Sequence, residues 1–226
     1  HGVTFQAALP HVDQVFHRSY HVRIDVVDCP ELKLVLPARK EIVSNAFFLK
    51  LKTQVLRIIF EQIKASGAHS LPYATWCKAK DLGVVLPPAA QMLRPFTPAI
   101  ADRGNANLES PKPLGAEGLL LDSDDEPINE QNLANALSGV EDGPRLFEPN
   151  SAFAGYGWYD ALPCLALTGY RIKHGDSIER LPLETTPLTN ERPQRLFIEG
   201  EIGTPTDVVP WELETDYLVL GEDHCH

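Results

Sequence analysis

Asp122, Ser123, Asp124, Asp125 and Glu126 follow the apolar Leu119, Leu120 and Leu121. Carboxylates at a strand's end are a common way to hold Mg2+, because a hard cation prefers oxygen ligands. Asp122, Asp124 and Asp125 are therefore candidate metal ligands. An EF-hand is excluded, since the loop lacks the required glycine and the glutamate at its twelfth position. No GxxxxGK occurs, so a Walker-type ATPase is unsupported. With linker-like residues around it, this run reads most simply as a solvated acidic loop. Imidazoles are densest at His11, His17 and His21. The spacing of His17 and His21 would put both rings on one helical face, as a zinc site requires. However, His21 enters a stretch with strand alternation, which turns the two side chains apart. Ordinary surface and turn histidines are expected. His224, Cys225 and His226 could bind a soft metal, but three residues at a chain end usually fray. There is no Gly-x-Ser-x-Gly elbow and no cysteine in a recognisable catalytic setting. Aromatic residues cluster at Tyr156, Trp158 and Tyr159, with Trp211 further on. Tyr and Trp on turns are enriched at interfaces, which makes these four the candidate partner surface.

Glu31, Leu32 and Lys33 spell Glu-x-Lys on a predicted strand, with Asp13 and Asp25 upstream and a long helix downstream. This order resembles the metal-dependent nucleases of the restriction-endonuclease type. The resemblance implies Asp13, Asp25 and Glu31 as Mg2+ ligands and Lys33 as the group that orients the attacking water. It rests on three motif residues, and the competing reading is a Glu/Lys alternation on the wet face of a strand. His1 and Gly2 resemble the start of copper-dependent polysaccharide monooxygenases, which implies copper held by the terminal amine and ring. The long apolar helix expected over residues 40–65 has no place in their β-sandwich, and a processed or fragmentary start is the expected meaning. Residues 142–149 and 155–157 loosely resemble the ATP lid of Hsp90-like and histidine-kinase ATPases. The Asp-x-Gly-x-Gly of those enzymes is absent, so nucleotide binding by this chain alone is not expected. A β-rich start followed by one long helix is also similar to the domain that follows such ATPase modules, which implies an accessory domain of a larger ATPase.

Composition sets the frame for these residues. The chain has 226 residues, 43% hydrophobic and 23% charged, which excludes a wholly disordered or fibrous protein. No apolar run is long enough to span a membrane. Residues 1–100 carry 12 Lys and Arg against 7 Asp and Glu, whereas residues 101–226 carry 8 against 24. The net charge of −11 argues against a dedicated nucleic-acid binder, and the basic half is expected to serve the protein's own acidic half first. Cys29, Cys77, Cys164 and Cys225 form no CxxC pair. Free thiols in a reducing, cytoplasmic setting are expected.

The elements that must position these groups are legible in part. Residues 20–27 alternate with period 2, putting Val22, Ile24 and Val26 on one face, and residues 32–36 resume after Pro30. Two strands are expected there, with residues 3–5 as a third. Over residues 40–65, Lys50, Gln54, Arg57, Glu61 and Lys64 form one polar stripe in an otherwise apolar helix. So wide an apolar arc should cover a sheet and a second flanking element. A shorter helix is expected from Tyr73 to Leu82, stopping at Gly83. Nine of the 19 prolines fall between residues 84 and 149, and residues 94–118 read as a linker or long loop. Residues 118–121 form a short strand candidate, and residues 129–137 a helix. Strands are expected at 165–172, 194–202 and 216–220.

The fold class is therefore α+β: a small N-terminal sheet under one long helix, a Pro-rich crossover, and a β-rich C-terminal half. The expected organisation is an N-terminal unit over 1–90, a Pro/Gly-rich acidic linker over 91–128, and a β-rich unit over 129–226. The leading functional expectation is a non-catalytic module, acidic and soluble, that binds a protein partner within a larger assembly and needs no cofactor. The alternatives are a Mg2+-dependent hydrolase or nuclease and an ATPase accessory domain.

Overall fold

Helix α1 (Ala46–Ser66) begins where Asn45 can cap it: the Asn45 Oδ1 accepts the Phe48 amide at 2.8 Å. It ends at Gly67, whose φ of 84° is the left-handed conformation that glycine adopts without strain. The cap explains why the helix starts at Ala46 rather than near residue 40. The computed structural model describes residues 9–16, 18–33, 35, 42–96, 110–115, 118–122, 133, 145–182, 195–204 and 206–215. They fall into two units, 1–90 with 151–156 and 91–150 with 157–226. The fold is mixed α+β. None of the described helices is long and apolar enough to cross a membrane.

In the N-terminal unit, strands β1 (Val12–Asp13) and β2 (Ser19–Tyr20) form a short antiparallel hairpin, and α1 is followed by α2 (Tyr73–Asp81). Val55, Ile59, Phe60 and Ile63 of α1 share a core with Val12, Leu71, Ala79, Val84 and Leu86. The apolar arc is wider than this core: Leu49 and Ile58 are 57% and 59% exposed. The strand expected over residues 20–27 is cut short. Val22 and Ile24 still pack against the core while His21, Arg23 and Asp25 point outward. Yet among the described residues the ladder ends at Tyr20. Asp28, at φ 50°, and the turn closed by the Leu32 amide on the Cys29 carbonyl then redirect the chain. Leu32 and Lys33 are accordingly in no strand.

The second unit is organised by a six-stranded sheet of order β10-β9-β7-β5-β6, with β8 beside β7. Its strands are β5 (Gly118–Asp122), β6 (Arg145–Phe147), β7 (Cys164–His174), β8 (Ser177–Pro182), β9 (Arg195–Thr204) and β10 (Asp207–Thr215). A two-stranded ladder of β3 (Met92–Leu93) and β4 (Lys112–Pro113) completes the described strands. β7 is shared along one edge: β5 runs parallel to its first residues, from Cys164 to Ala166, and β8 runs antiparallel to Gly169 through His174.

A bulge makes this long strand possible. The register of β7 against β9 shifts between Leu167 and Gly169, leaving Thr168 as the extra residue. Side chains alternate along a strand, so one added residue reverses their parity. Leu165 and Leu167 therefore face the core before the bulge, and Tyr170 and Ile172 after it. Across from them lie Ile202, Gly200, Ile198 and Leu196 in the same order. Gly200 is required by close approach: a Cβ there would stand 2.8 Å from the Ala166 carbonyl oxygen and 3.3 Å from the Trp211 ring. Leu133, the described residue of the expected 129–137 helix, is buried in this core. The strand expected at 216–220 lies outside the described residues, as does the one at 3–5.

Candidate functional site

The residues of the Glu-x-Lys resemblance each make their own local contacts. Asp13 lies exposed on the hairpin, accepting the Ser19 hydroxyl at 2.5 Å and facing His11 Nε2 at 3.2 Å. The Ser19 hydrogen bond, followed by the charges of His11 and His21, holds its carboxyl below the usual carboxylate range. Asp25 faces Arg23 at 3.7 Å, an ion pair too exposed to count for much. Glu31 accepts a weak hydrogen bond from the Cys29 thiol at 3.5 Å. Lys33 is exposed, and its carbonyl accepts the Val43 amide. Asp122 ends β5 on the exposed side, while Asp124 and Asp125 lie outside the described residues. Burial, then the Asp122 charge, pushes the nearby Cys164 thiol up. Among the described residues, no group of three or more His, Cys, Asp and Glu side chains is placed to hold a metal ion.

The aromatic candidates separate into different environments. Tyr156 is only 2% exposed and offers no side-chain surface to a partner. It meets Tyr73 edge-on at 5.2 Å, lies 5.5 Å from Trp76, and donates its hydroxyl to the Leu71 carbonyl at 3.1 Å. Burial raises its pKa, so the phenol stays protonated and remains a donor. Trp158 and Tyr159 pack edge to face on one helical turn, Gly157–Asp160, and both are half-buried. The Tyr159 hydroxyl accepts the Asn150 amide. Trp211 is half-buried against the core of the sheet. Trp158, Tyr159 and Trp211 each keep part of the ring at the surface.

A buried polar knot lies where no motif stands. His69 is buried, with Nε2 2.9 Å from the Pro87 carbonyl and Nδ1 accepting the Leu71 amide. Both bonds hold at once only in the neutral tautomer protonated on Nε2. The Trp76 indole donates to the same Pro87 carbonyl at 2.9 Å, and buried Gln14 accepts from the Ser70 amide and hydroxyl. This knot ties residues 69–71 to the hairpin, to α2 and to the segment after it. Its chemistry is mutual satisfaction of buried polar groups, not proton transfer to a substrate. The signal in sequence was faint: one histidine between the helix stop Gly67 and Pro72.

On the solvent side of the sheet, Arg171 stacks over Phe197 at 4.7 Å, and its Nε is 2.7 Å from Glu199. It also pairs with Glu212, while Arg195 pairs with Glu214. Arg171 thereby offsets the like charges of Glu199 and Glu212, which stand directly across from each other on neighbouring strands. No family model matches the chain, and neither a curated protein nor a solved structure is detectably similar to it.

Proposed function

We propose that this chain is a non-catalytic binding or assembly module of a larger protein or complex. The observation that carries the reading is the interrupted strand after Tyr20. Residues 21–25 keep the burial alternation of a strand, yet none of the described residues pairs with them in a ladder. They lead into Val26 and Val27, which are 47% and 80% exposed. Such a segment is suited to adding a partner's strand, where main-chain hydrogen bonds supply affinity and alternate side chains supply specificity. The partner is a protein rather than a nucleic acid, in keeping with the net charge of −11. Cys29, Cys77 and Cys164 are free thiols, which suits a cytoplasmic setting.

A photo-crosslinking residue placed at Val27 tests the reading, with the same residue at Arg57 on the solvent stripe of α1 as control. One discrete protein adduct at position 27 and none at 57 is expected in native extracts. Identical labelling at the two positions would remove the support. A thermal melt supplies the second arm, since the module is indifferent to Mg2+. A Mg2+-induced rise in melting temperature that Glu31→Gln abolishes would replace the module with the hydrolase.

A further inference from the structure

We propose that the exposed face of the β1–β2 hairpin binds a divalent transition ion of the zinc class between the imidazoles of His11 and His21. Register places them together. Val12 pairs with Tyr20 and Asp13 with Ser19, so the next cross-strand position sets His11 opposite His21. Their rings stack with centroids 5.4 Å apart and planes 22° from parallel. Val12 and Tyr20 face the core, which anchors the hairpin from beneath and leaves residues 11, 13, 19 and 21 on its outer face.

The other groups on that face have the arrangement of a metal site's supporting contacts. Ser19 Oγ donates to Asp13 Oδ1 at 2.5 Å, and Asp13 Oδ2 lies 3.2 Å from His11 Nε2. A metal-bound imidazole ordinarily donates its other N–H to a carboxylate, which sets the tautomer and raises the basicity of the ligating nitrogen. Asp13 receives Nε2–H, and His11 Nδ1 is left with its lone pair. Asp13 is thus a positioning residue, not a ligand. Zn–N bonds of about 2.0–2.1 Å need the two ligating nitrogens within roughly 3.5 Å of each other, which ring rotation on exposed side chains supplies. Water would fill the remaining positions. Imidazole donors suit Zn2+, Ni2+ and Cu2+, and do not suit Mg2+.

The test is calorimetric titration of the whole chain with Zn2+, comparing the parent with His11→Gln and His21→Gln. Each variant is expected to bind one equivalent fewer than the parent, while melting like it in EDTA because both rings are exposed. Asp13→Asn should keep the equivalent but weaken it about 10- to 100-fold, the cost of losing a ligand's supporting partner. Equal stoichiometry and affinity in parent and both histidine variants would overturn the site. NMR of the parent alone gives a second reading: Zn2+ should shift the ring signals of His11 and His21 together, and shifts confined to other histidines would overturn it as well.

Discussion

The two units hold themselves together in different ways. In the N-terminal unit a few single main-chain bonds, such as the Val15 amide on Ser70 and the Ala90 amide on His69, are joined by side chains on backbone: Asn45 at the helix start, Gln14 on Ser70, His69 and Trp76 on Pro87, Tyr156 on Leu71. Each joins segments with little regular pairing of their own. In the second unit the ladder does this work, and side chains fill the faces that register assigns to them. A unit of the first kind loses stability piecemeal as individual polar partners are removed. One of the second kind tolerates most substitutions and fails when register is lost.

The comparison can be broken from either side. Ile59→Asp places a charge among Val55, Phe60 and Ile63, at a cost above about 4 kcal/mol. Limited proteolysis should then cut throughout residues 46–86 while β7 and β9 stay protected. Deleting Thr168 is the converse experiment. It would turn Tyr170 and Ile172 away from the core or force β8 and β9 to slip, and hydrogen exchange should rise across β7, β8 and β9 but not in α1. Tyr156→Phe is milder. It leaves the Leu71 carbonyl without its donor, and about 1–3 kcal/mol should be lost in denaturant unfolding of the N-terminal unit.

The smallest effect is a pH dependence. Burial lowers the pKa of His69, and the Pro87 hydrogen bond opposes this only in part. Below the ordinary histidine value of about 6.5 the unfolded chain therefore binds the proton more readily than the folded one. The contribution of His69 to stability is complete above that pH and is lost as the pH falls through the folded-state value. Melting temperatures from pH 8 to 5 should decline more steeply for the parent than for His69→Gln. Parallel curves would show that the knot does not depend on neutral imidazole.

Much of the architecture was legible because it rests on local periodicity. The stripe of α1, the short helix after Pro72, and the strands around Leu165 and Phe197 all show it. The bulge was not legible, since Thr168 differs from its neighbours in pairing rather than in type. β10 was not expected, for another reason. Pro210 marks residues 207–215 as a connection, whereas an edge strand accepts proline where its missing amide would face outward. A two-residue connection makes Thr204 and Asp207 a hydrogen-bonded pair, and alternation then turns position 210 to the open edge. Tyr156 read as surface because its partners, Leu71, Tyr73 and Trp76, are distant in sequence. The His11–His21 pair follows no helical spacing, whereas His17 and His21 do. It takes the hairpin register to set residue 11 against residue 21.

The return of residues 151–156 to the N-terminal unit has a consequence for synthesis. Phe153 and Tyr156 are core residues of a unit whose other members are complete by Ala90. As the chain leaves the ribosome, residues 1–90 carry the whole Val12-to-Leu86 core, but the places of Phe153 and Tyr156 stay unfilled until at least 66 more residues have been added. During that interval Leu71 lacks its tyrosine donor and the rings of Tyr73 and Trp76 lack their neighbour. A ribosome stalled between residues 91 and 150 would therefore display the N-terminal unit without its last two buried aromatic rings.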